Sequence, residues 1–106
     1  MRKLLILTCV VLGLSGFFNR TSAQNAMIKG FVYEKESGEA VPFTNVFLKG
    51  TTLGSTTDGN GNFLINKIPP GSYTLMIKSM GYDSLVLRVT VKAGEILTRK
   101  LALVKA

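Results

Sequence analysis

The segment from Leu85 to Lys92 reads LVLRVTVK, and its residues alternate in character. Its odd-numbered positions are all aliphatic, namely Leu85, Leu87, Val89 and Val91, whereas the even-numbered positions include Arg88, Thr90 and Lys92. Successive side chains of a β-strand point to opposite faces of the sheet, so this alternation is typical of a strand with one buried face. It predicts an antiparallel sheet that packs on a core with one side only.

The same period of two recurs along most of the chain, and no stretch keeps a helical period. We predict seven strands, at 27–34, 43–49, 53–57, 62–68, 72–79, 83–92 and 95–104. Turn dipeptides such as Ser37-Gly38 and Pro70-Gly71 separate them. Strands that recur about every ten residues with turns between them are typical of a β-sandwich. Arg99 shares a predicted face with leucines, so it must lie near a rim or the register slips.

Residues 1–23 have the composition of a secretory signal peptide. Arg2 and Lys3 precede the uncharged run LLILTCVVLGLSGFF, and the small residues of TSA precede Gln24. The run is short for a transmembrane helix, which needs about 20 apolar residues. We therefore expect a signal peptide at 1–23 and a single domain at 24–106.

Charge and cysteine content limit what the exported domain can do. The full chain has 13 Lys and Arg against 6 Asp and Glu, but three of those cations lie in 1–23, so the net charge of +7 falls to +4. The remaining charges are spread along the chain, which favours a solvated surface over a nucleic-acid face. Cys9 is the only cysteine, so the domain is expected to fold without a disulfide.

The residue types that most enzymes use are missing. The chain has no histidine, and its cysteine lies in the predicted signal peptide, so nucleophile–histidine pairs and the usual zinc ligands are excluded. The carboxylates are Glu34, Glu36, Glu39, Asp58, Asp83 and Glu95. A small sandwich rarely has a cleft across which two of them could act as an acid–base pair. We predict no enzymatic activity, no catalytic residue, no cofactor and no metal.

One segment, TTDGNGNF at 56–63, resembles the start of a calcium-binding loop. Oxygen-bearing side chains occupy its alternate positions Asp58, Asn60 and Asn62. An EF-hand loop also needs glycine at its sixth position and glutamate at its twelfth, where this chain has Phe63 and Pro69. We predict a tight turn that Asp58 caps with its side chain, with Gly59 and Gly61 at positive φ.

A series of short sequence motifs spans nearly all of residues 24–106. They are Gly30-Phe31-Val32, Ser37-Gly38-Glu39 with Pro42, Asn45-Val46, Lys49-Gly50-Thr51, Gly54 with Thr57-Asp58, Gly61 with Phe63, Pro70-Gly71 with Tyr73 and Leu75, and Gly81-Tyr82. In this order they resemble a carboxypeptidase regulatory-like domain, particularly the one at the N-terminus of TonB-dependent outer-membrane receptors of Bacteroidota.

The resemblance implies a transthyretin-like, seven-stranded Greek-key sandwich with no catalytic residues. It implies turn roles for Gly50, Asp58, Gly61, Gly71 and Gly81. Two settings stay open, a free-standing domain and the N-terminal part of a longer receptor. Both correspond to an exported protein in the periplasm or outer membrane of a Gram-negative bacterium.

Three functions are compatible with these features. The leading hypothesis is a non-catalytic accessory domain that binds an envelope protein along an exposed sheet edge, with the first or last strand as that edge. The second is carbohydrate binding by aromatic rings, for which the candidates are Tyr33, Phe43, Phe47 and Tyr82. The third is a structural spacer without a ligand.

Overall fold

The computed structural model describes residues 24–106, so the predicted signal peptide lies outside the described residues. Seven strands follow one another: β1 (Ala26–Glu34), β2 (Asn45–Leu48), β3 (Gly54–Thr56), β4 (Asn62–Ile68), β5 (Gly71–Lys78), β6 (Leu85–Val91) and β7 (Ile96–Leu103). Each corresponds to a predicted strand. Strand β2 begins later than predicted because Phe43 has a φ of 58°, a left-handed conformation that interrupts extended backbone. Residues 24–106 contain no helix that is long and apolar enough to cross a membrane.

The strands form two sheets, which confirms the predicted all-β Greek-key sandwich. The smaller sheet has the order β4-β1-β7, and the larger sheet has the order β3-β2-β5-β6. All neighbouring strands are antiparallel except β1 and β7, which run parallel from the pair Met27–Ile96 to the pair Glu34–Leu103. The expectation of a wholly antiparallel sandwich is therefore corrected at this pair.

The turn between β6 and β7 explains the parallel pair. The N–H of Gly94 in this turn donates to the carbonyl oxygen of Gln24, 3.2 Å away, just before β1 begins. The N–H of Met27 donates to the carbonyl oxygen of Glu95 at 2.9 Å. The chain therefore enters β7 beside the start of β1 and continues in the same direction.

The backbones of β1 and β7 approach closely at Gly30. A Cβ atom built on Gly30 would lie only 1.7 Å from the carbonyl oxygen of Arg99, its partner in the register. Only glycine leaves room for this approach. Arg99 itself is exposed while the pairing continues without a shift, which confirms its predicted place at a rim.

The inner faces of both sheets supply one hydrophobic core. Its fully buried members include Ile28, Val32, Val46, Leu48, Ile65, Ile68, Leu75, Ile77, Leu101 and Leu103. The alternating residues of β6 behave as predicted, because Val89 and Val91 are buried whereas Val86 is 53% exposed. Burying an aliphatic side chain of this size stabilises the fold by about 1.5–3 kcal/mol, so the core can substitute for a disulfide.

Two buried threonines join the loop before β2 to the end of β3. The Oγ1 of Thr57 accepts the N–H of Thr44 at 2.8 Å and donates to the carbonyl oxygen of Val41 at 2.9 Å. The N–H of Thr57 donates to the carbonyl oxygen of Thr44 at 2.9 Å. Because both hydroxyls are paired, their burial carries no desolvation penalty from an unmet polar group.

We predict that Gly30→Ala lowers the free energy of unfolding by about 2–3 kcal/mol, because the new methyl group forces β1 and β7 apart. Gly59→Ala is the matched control, since a Cβ there meets no atom within 4 Å and Gly59 lies outside the positive-φ region. Its effect should stay within about 1 kcal/mol. Urea unfolding of both variants checks this, and equal losses would contradict the close approach.

Candidate functional site

The segment at 56–63 is organised around the side chain of Asp58. Its Oδ1 accepts the backbone N–H of Asn60 at 2.9 Å and that of Asn62 at 3.0 Å. The N–H of Gly61 closes the turn on the carbonyl oxygen of Asp58 at 3.0 Å. Gly61 has a φ of 80°, as predicted. The prediction was wrong for Gly59, which does not take positive φ, because only the last residue of this turn adopts the left-handed conformation. The carboxylate therefore caps a turn between the two sheets.

The acidic residues do not assemble into a ligand cluster in the described part of the chain. Among residues 24–106 no group of three or more His, Cys, Asp and Glu side chains could hold a metal ion. The prediction that there is no catalytic residue, cofactor or metal stays a prediction.

Glu34 belongs to a structural contact at the end of β1. The hydroxyl of Tyr82 donates to its Oε2 at 2.8 Å, and Nζ of Lys105 lies 3.7 Å from its Oε1. The hydrogen bond from Tyr82, helped by the Lys105 charge, lowers the pKa of Glu34, and the same bond raises the pKa of Tyr82. The contact ties the loop after β5 and the segment after β7 to β1.

The four aromatic residues considered for sugar stacking lie on different surfaces. Tyr33 lies on the outer face of the smaller sheet, and Phe47 lies on the outer face of the larger sheet under Nζ of Lys78, 5.9 Å from its ring centroid. Phe43 projects from a loop and is 78% exposed, whereas Tyr82 is held by Glu34. These four rings therefore form no common platform.

Sequence reasoning missed Phe31 as an aromatic surface residue. Its ring stacks on that of Tyr33, with centroids 5.4 Å apart and planes inclined by 19°. Both rings lie on the outer face of β1, because residues two apart in a strand share a face. The alternation of Lys29, Phe31 and Tyr33 within β1 was the available signal.

A sandwich of two open sheets has four edge strands, and three of them are protected. Strand β3 has only three residues. Strand β4 contains a bulge, because its register with β1 shifts between Ile65 and Ile68, and Lys67 there has a φ of 56°. Short strands and bulges are ordinary ways to prevent further pairing.

On the free edge of β7, one outward backbone group is capped by the arginine of the same strand. The carbonyl oxygens of Glu95 and Leu103 accept N–H groups from β1, so the odd-numbered residues of β7 face β1 and the even-numbered ones face outward. Nη1 of Arg99 donates to the carbonyl oxygen of Thr98 at 3.0 Å, and this oxygen is one of the outward groups. The last strand is thus an edge, as predicted, while the first strand is central.

Strand β6 is the edge without such protection. The N–H of Lys49 donates to the carbonyl oxygen of Thr74 at 2.9 Å, so the even-numbered residues of β5 face β2 and the odd-numbered ones face β6. Their partners in β6 are also odd-numbered. The even-numbered residues Val86, Arg88 and Thr90 therefore direct N–H and C=O groups away from the sheet, over a strand whose register has no shift.

The fold is a small β-sandwich with an open edge, and the family whose model it matches is of the regulatory or binding type. The chain belongs to the CarboxypepD_reg-like domain family, which matches residues 28–105. This confirms the resemblance drawn from the sequence. TonB-dependent receptor P3 of Formosa agariphila is 31% identical over 67 residues, which are 63% of this chain and 7% of the receptor. The chain thus corresponds to a small part of that relative.

Solved structures share the fold at low sequence identity. A chain of the type II cohesin–X-dockerin complex Coh3ScaB–XDoc of Acetivibrio cellulolyticus superposes with a TM-score of 0.64 at 22% identity, covering 74% of this chain and 56% of that one. A candidate carbohydrate binding protein of Bacteroides uniformis gives a TM-score of 0.59 at 15% identity, covering 77% and 42%. At these identities the likeness shows the fold alone.

We predict that EDTA leaves the melting temperature unchanged, because the Asp58 carboxylate serves the turn. A calcium ion at this loop would add about 2.7 kcal/mol at a hundredfold excess over its Kd. Asp58→Ala should instead cost about 1 kcal/mol with or without EDTA, since two N–H groups lose their acceptor. Differential scanning calorimetry checks both, and a calcium-dependent shift that Asp58→Ala removes would contradict the prediction.

Proposed function

We propose that this protein is a non-catalytic interaction domain of the Gram-negative cell envelope, and that it binds an extended segment of a protein partner along β6. The observation that carries the proposal is the unprotected edge of this strand. Its outward backbone groups belong to Val86, Arg88 and Thr90, and no described backbone hydrogen bond outside the β5 pairing involves them. Unpaired edge groups are the template on which another strand adds to a sheet.

The side chains along β6 favour an extended and partly apolar partner. Val86 is 53% exposed on the outer face, and Leu85 and Leu87 are half-buried at the inner border of the edge. An added strand would cover these groups with alternate side chains of its own, while its main chain supplies the hydrogen bonds. Affinity from such a contact depends more on backbone groups of β6 than on any one of its side chains.

The envelope location is supported by two features. The composition of residues 1–23 is that of a signal peptide, and the relative from Formosa agariphila is a TonB-dependent receptor. As a free-standing domain, the chain would recruit a separate envelope protein through β6. As part of a receptor, it would use the same edge either within the receptor or toward a component that docks on it.

We predict that Arg88→Pro abolishes capture of the partner from envelope extracts by the tagged full chain, because proline removes an outward N–H. Arg88→Ala is the matched control, since it deletes the side chain and its bond to Thr74 but keeps the N–H. It should retain capture, as should Phe47→Ala on the outer face. Binding is read out by quantitative mass spectrometry, with a loss of about tenfold or more expected for the proline variant.

The fold of each variant is checked by circular dichroism. If Arg88→Pro unfolds, Thr90→Pro tests the same edge nearer its end, with Thr90→Ala as its control. Equal capture by a folded proline variant and the unmodified protein would rule out strand addition at β6. Loss of capture in Phe47→Ala alone would place the contact on the sheet face instead.

We further propose that export removes residues 1–23, since TSA precedes Gln24 after an apolar run. Intact-mass measurement of the protein recovered from envelope fractions should show an N-terminus at Gln24, either free or cyclised. Retention of Met1 in that fraction would contradict the cleavage.

A further inference from the structure

A groove of about 410 Å³ lies along the outer face of the smaller sheet, on the opposite side of the sandwich from the larger sheet. The side chains that give it chemical character are Lys29, Phe31, Asn62, Thr98 and Lys100. They come from all three strands of the smaller sheet. None of them was assigned a function by its sequence pattern, and none takes part in the β6 edge.

The register of the smaller sheet brings these residues together. Asn62 of β4 pairs with Phe31 of β1, which pairs with Lys100 of β7, so the three side chains form a row across the sheet. Lys29 and Thr98 form the adjacent pair on the same face. Glycine at position 30 brings β1 and β7 together between these two rows.

The groove concentrates positive charge without a counterion from the protein. Lys29 and Lys100 are both exposed on this face, and no carboxylate lines the groove. Within residues 24–106 the one ion pair joins Lys105 and Glu34 elsewhere on the domain. Arg99 points to the opposite face of β7 and stays at the rim, where its Nη1 donates to the outward-facing carbonyl oxygen of Thr98 at 3.0 Å.

The groove combines these cations with groups that suit a sugar. The ring of Phe31, supported by that of Tyr33, offers an apolar surface for the C–H face of a pyranose. The amide of Asn62 and the hydroxyl of Thr98 both donate and accept hydrogen bonds, as sugar hydroxyls require. An acidic peptide would use the cations but has no need for a flat ring beside them.

We propose that this groove binds an anionic oligosaccharide, whose carboxylate or sulfate groups contact Lys29 and Lys100 while one sugar ring packs on Phe31. Carboxylates and sulfates share the chemistry that these cations recognise, which is a negatively charged oxygen group that accepts charge-assisted hydrogen bonds. The proposal does not depend on strand addition, because β6 belongs to the other sheet.

Isothermal titration of the full exported protein with three polymers of similar length tests the proposal. Polygalacturonate presents carboxylates, dextran sulfate presents sulfates, and neutral dextran presents neither. We expect saturable binding to at least one of the two polyanions, weakening as salt screens the charges, and no binding to neutral dextran. The stronger of the two polyanions identifies the charged group.

Two double variants with equal loss of charge separate the groove from bulk attraction. Lys29→Gln with Lys100→Gln should weaken polyanion binding by about tenfold or more. Lys49→Gln with Lys78→Gln removes two lysines from the larger sheet's side of the domain and should leave binding unchanged. Phe31→Ala should weaken binding to the polysaccharide, and Arg88→Pro should have no effect.

Several outcomes would overturn the proposal. One is absence of binding to both polyanions, and another is equal binding of neutral dextran. Equal losses in the two lysine double variants would show that net charge alone attracts the polymer. Polyglutamate could bind as tightly as the polysaccharides, and Phe31→Ala could bind all of these polymers as tightly as the unmodified protein does. Together these two results would show that the groove binds acidic chains of any kind. If Phe31→Ala fails to fold, Phe31→Leu provides the same comparison without the aromatic ring.

Discussion

The pairing of the first strand with the last is the constraint on which the rest of this structure depends. Strand β1 lies between β4 and β7, so it brings together segments from the start, middle and end of the domain. Its inward residues Ile28 and Val32 then meet the inward leucines of β7 in the core. The pairing requires a residue without a side chain at Gly30, where the β7 carbonyl oxygen occupies the place of a Cβ. The register of β1 with β7, the packing of the core and the groove on the outer face therefore all require this one glycine.

The interior of the domain is filled by apolar side chains and two hydrogen-bonded threonines, so a ligand can reach only its surfaces. The two sheets divide the surface between them. The larger sheet ends in an edge whose backbone groups point to solvent, and the smaller sheet carries cations and rings on its outer face. The two surfaces lie on different sheets, so a protein strand and a saccharide do not compete for the same atoms.

Local patterns predicted local structure well, and long-range contacts account for what they missed. Alternation such as that of Leu85 to Val91, together with the turn residues between segments, located all seven strands, because both signals depend only on neighbouring residues. The parallel direction of β7 depends on a turn that meets Gln24, about 70 residues away in the chain, and alternation carries no such information. Tyr82 was considered a sugar contact because its hydrogen-bond partner Glu34 is 48 residues away in the chain, and local pattern does not show such a contact. The surroundings of Phe31 were overlooked because Asn62 and Lys100, its neighbours across the sheet, come from other strands.

The parallel arrangement of β1 and β7 also has a mechanical consequence. Because the two strands run in the same direction, the start of β1 and the end of β7 lie at opposite ends of the smaller sheet. Tension applied between these two points acts along the strands and perpendicular to the hydrogen bonds that join them. The bonds from Met27 to Lys35 are then loaded together in shear, whereas pulling on a hairpin would open its bonds one after another. The fold thus has the geometry of a tether that resists extension along its own axis.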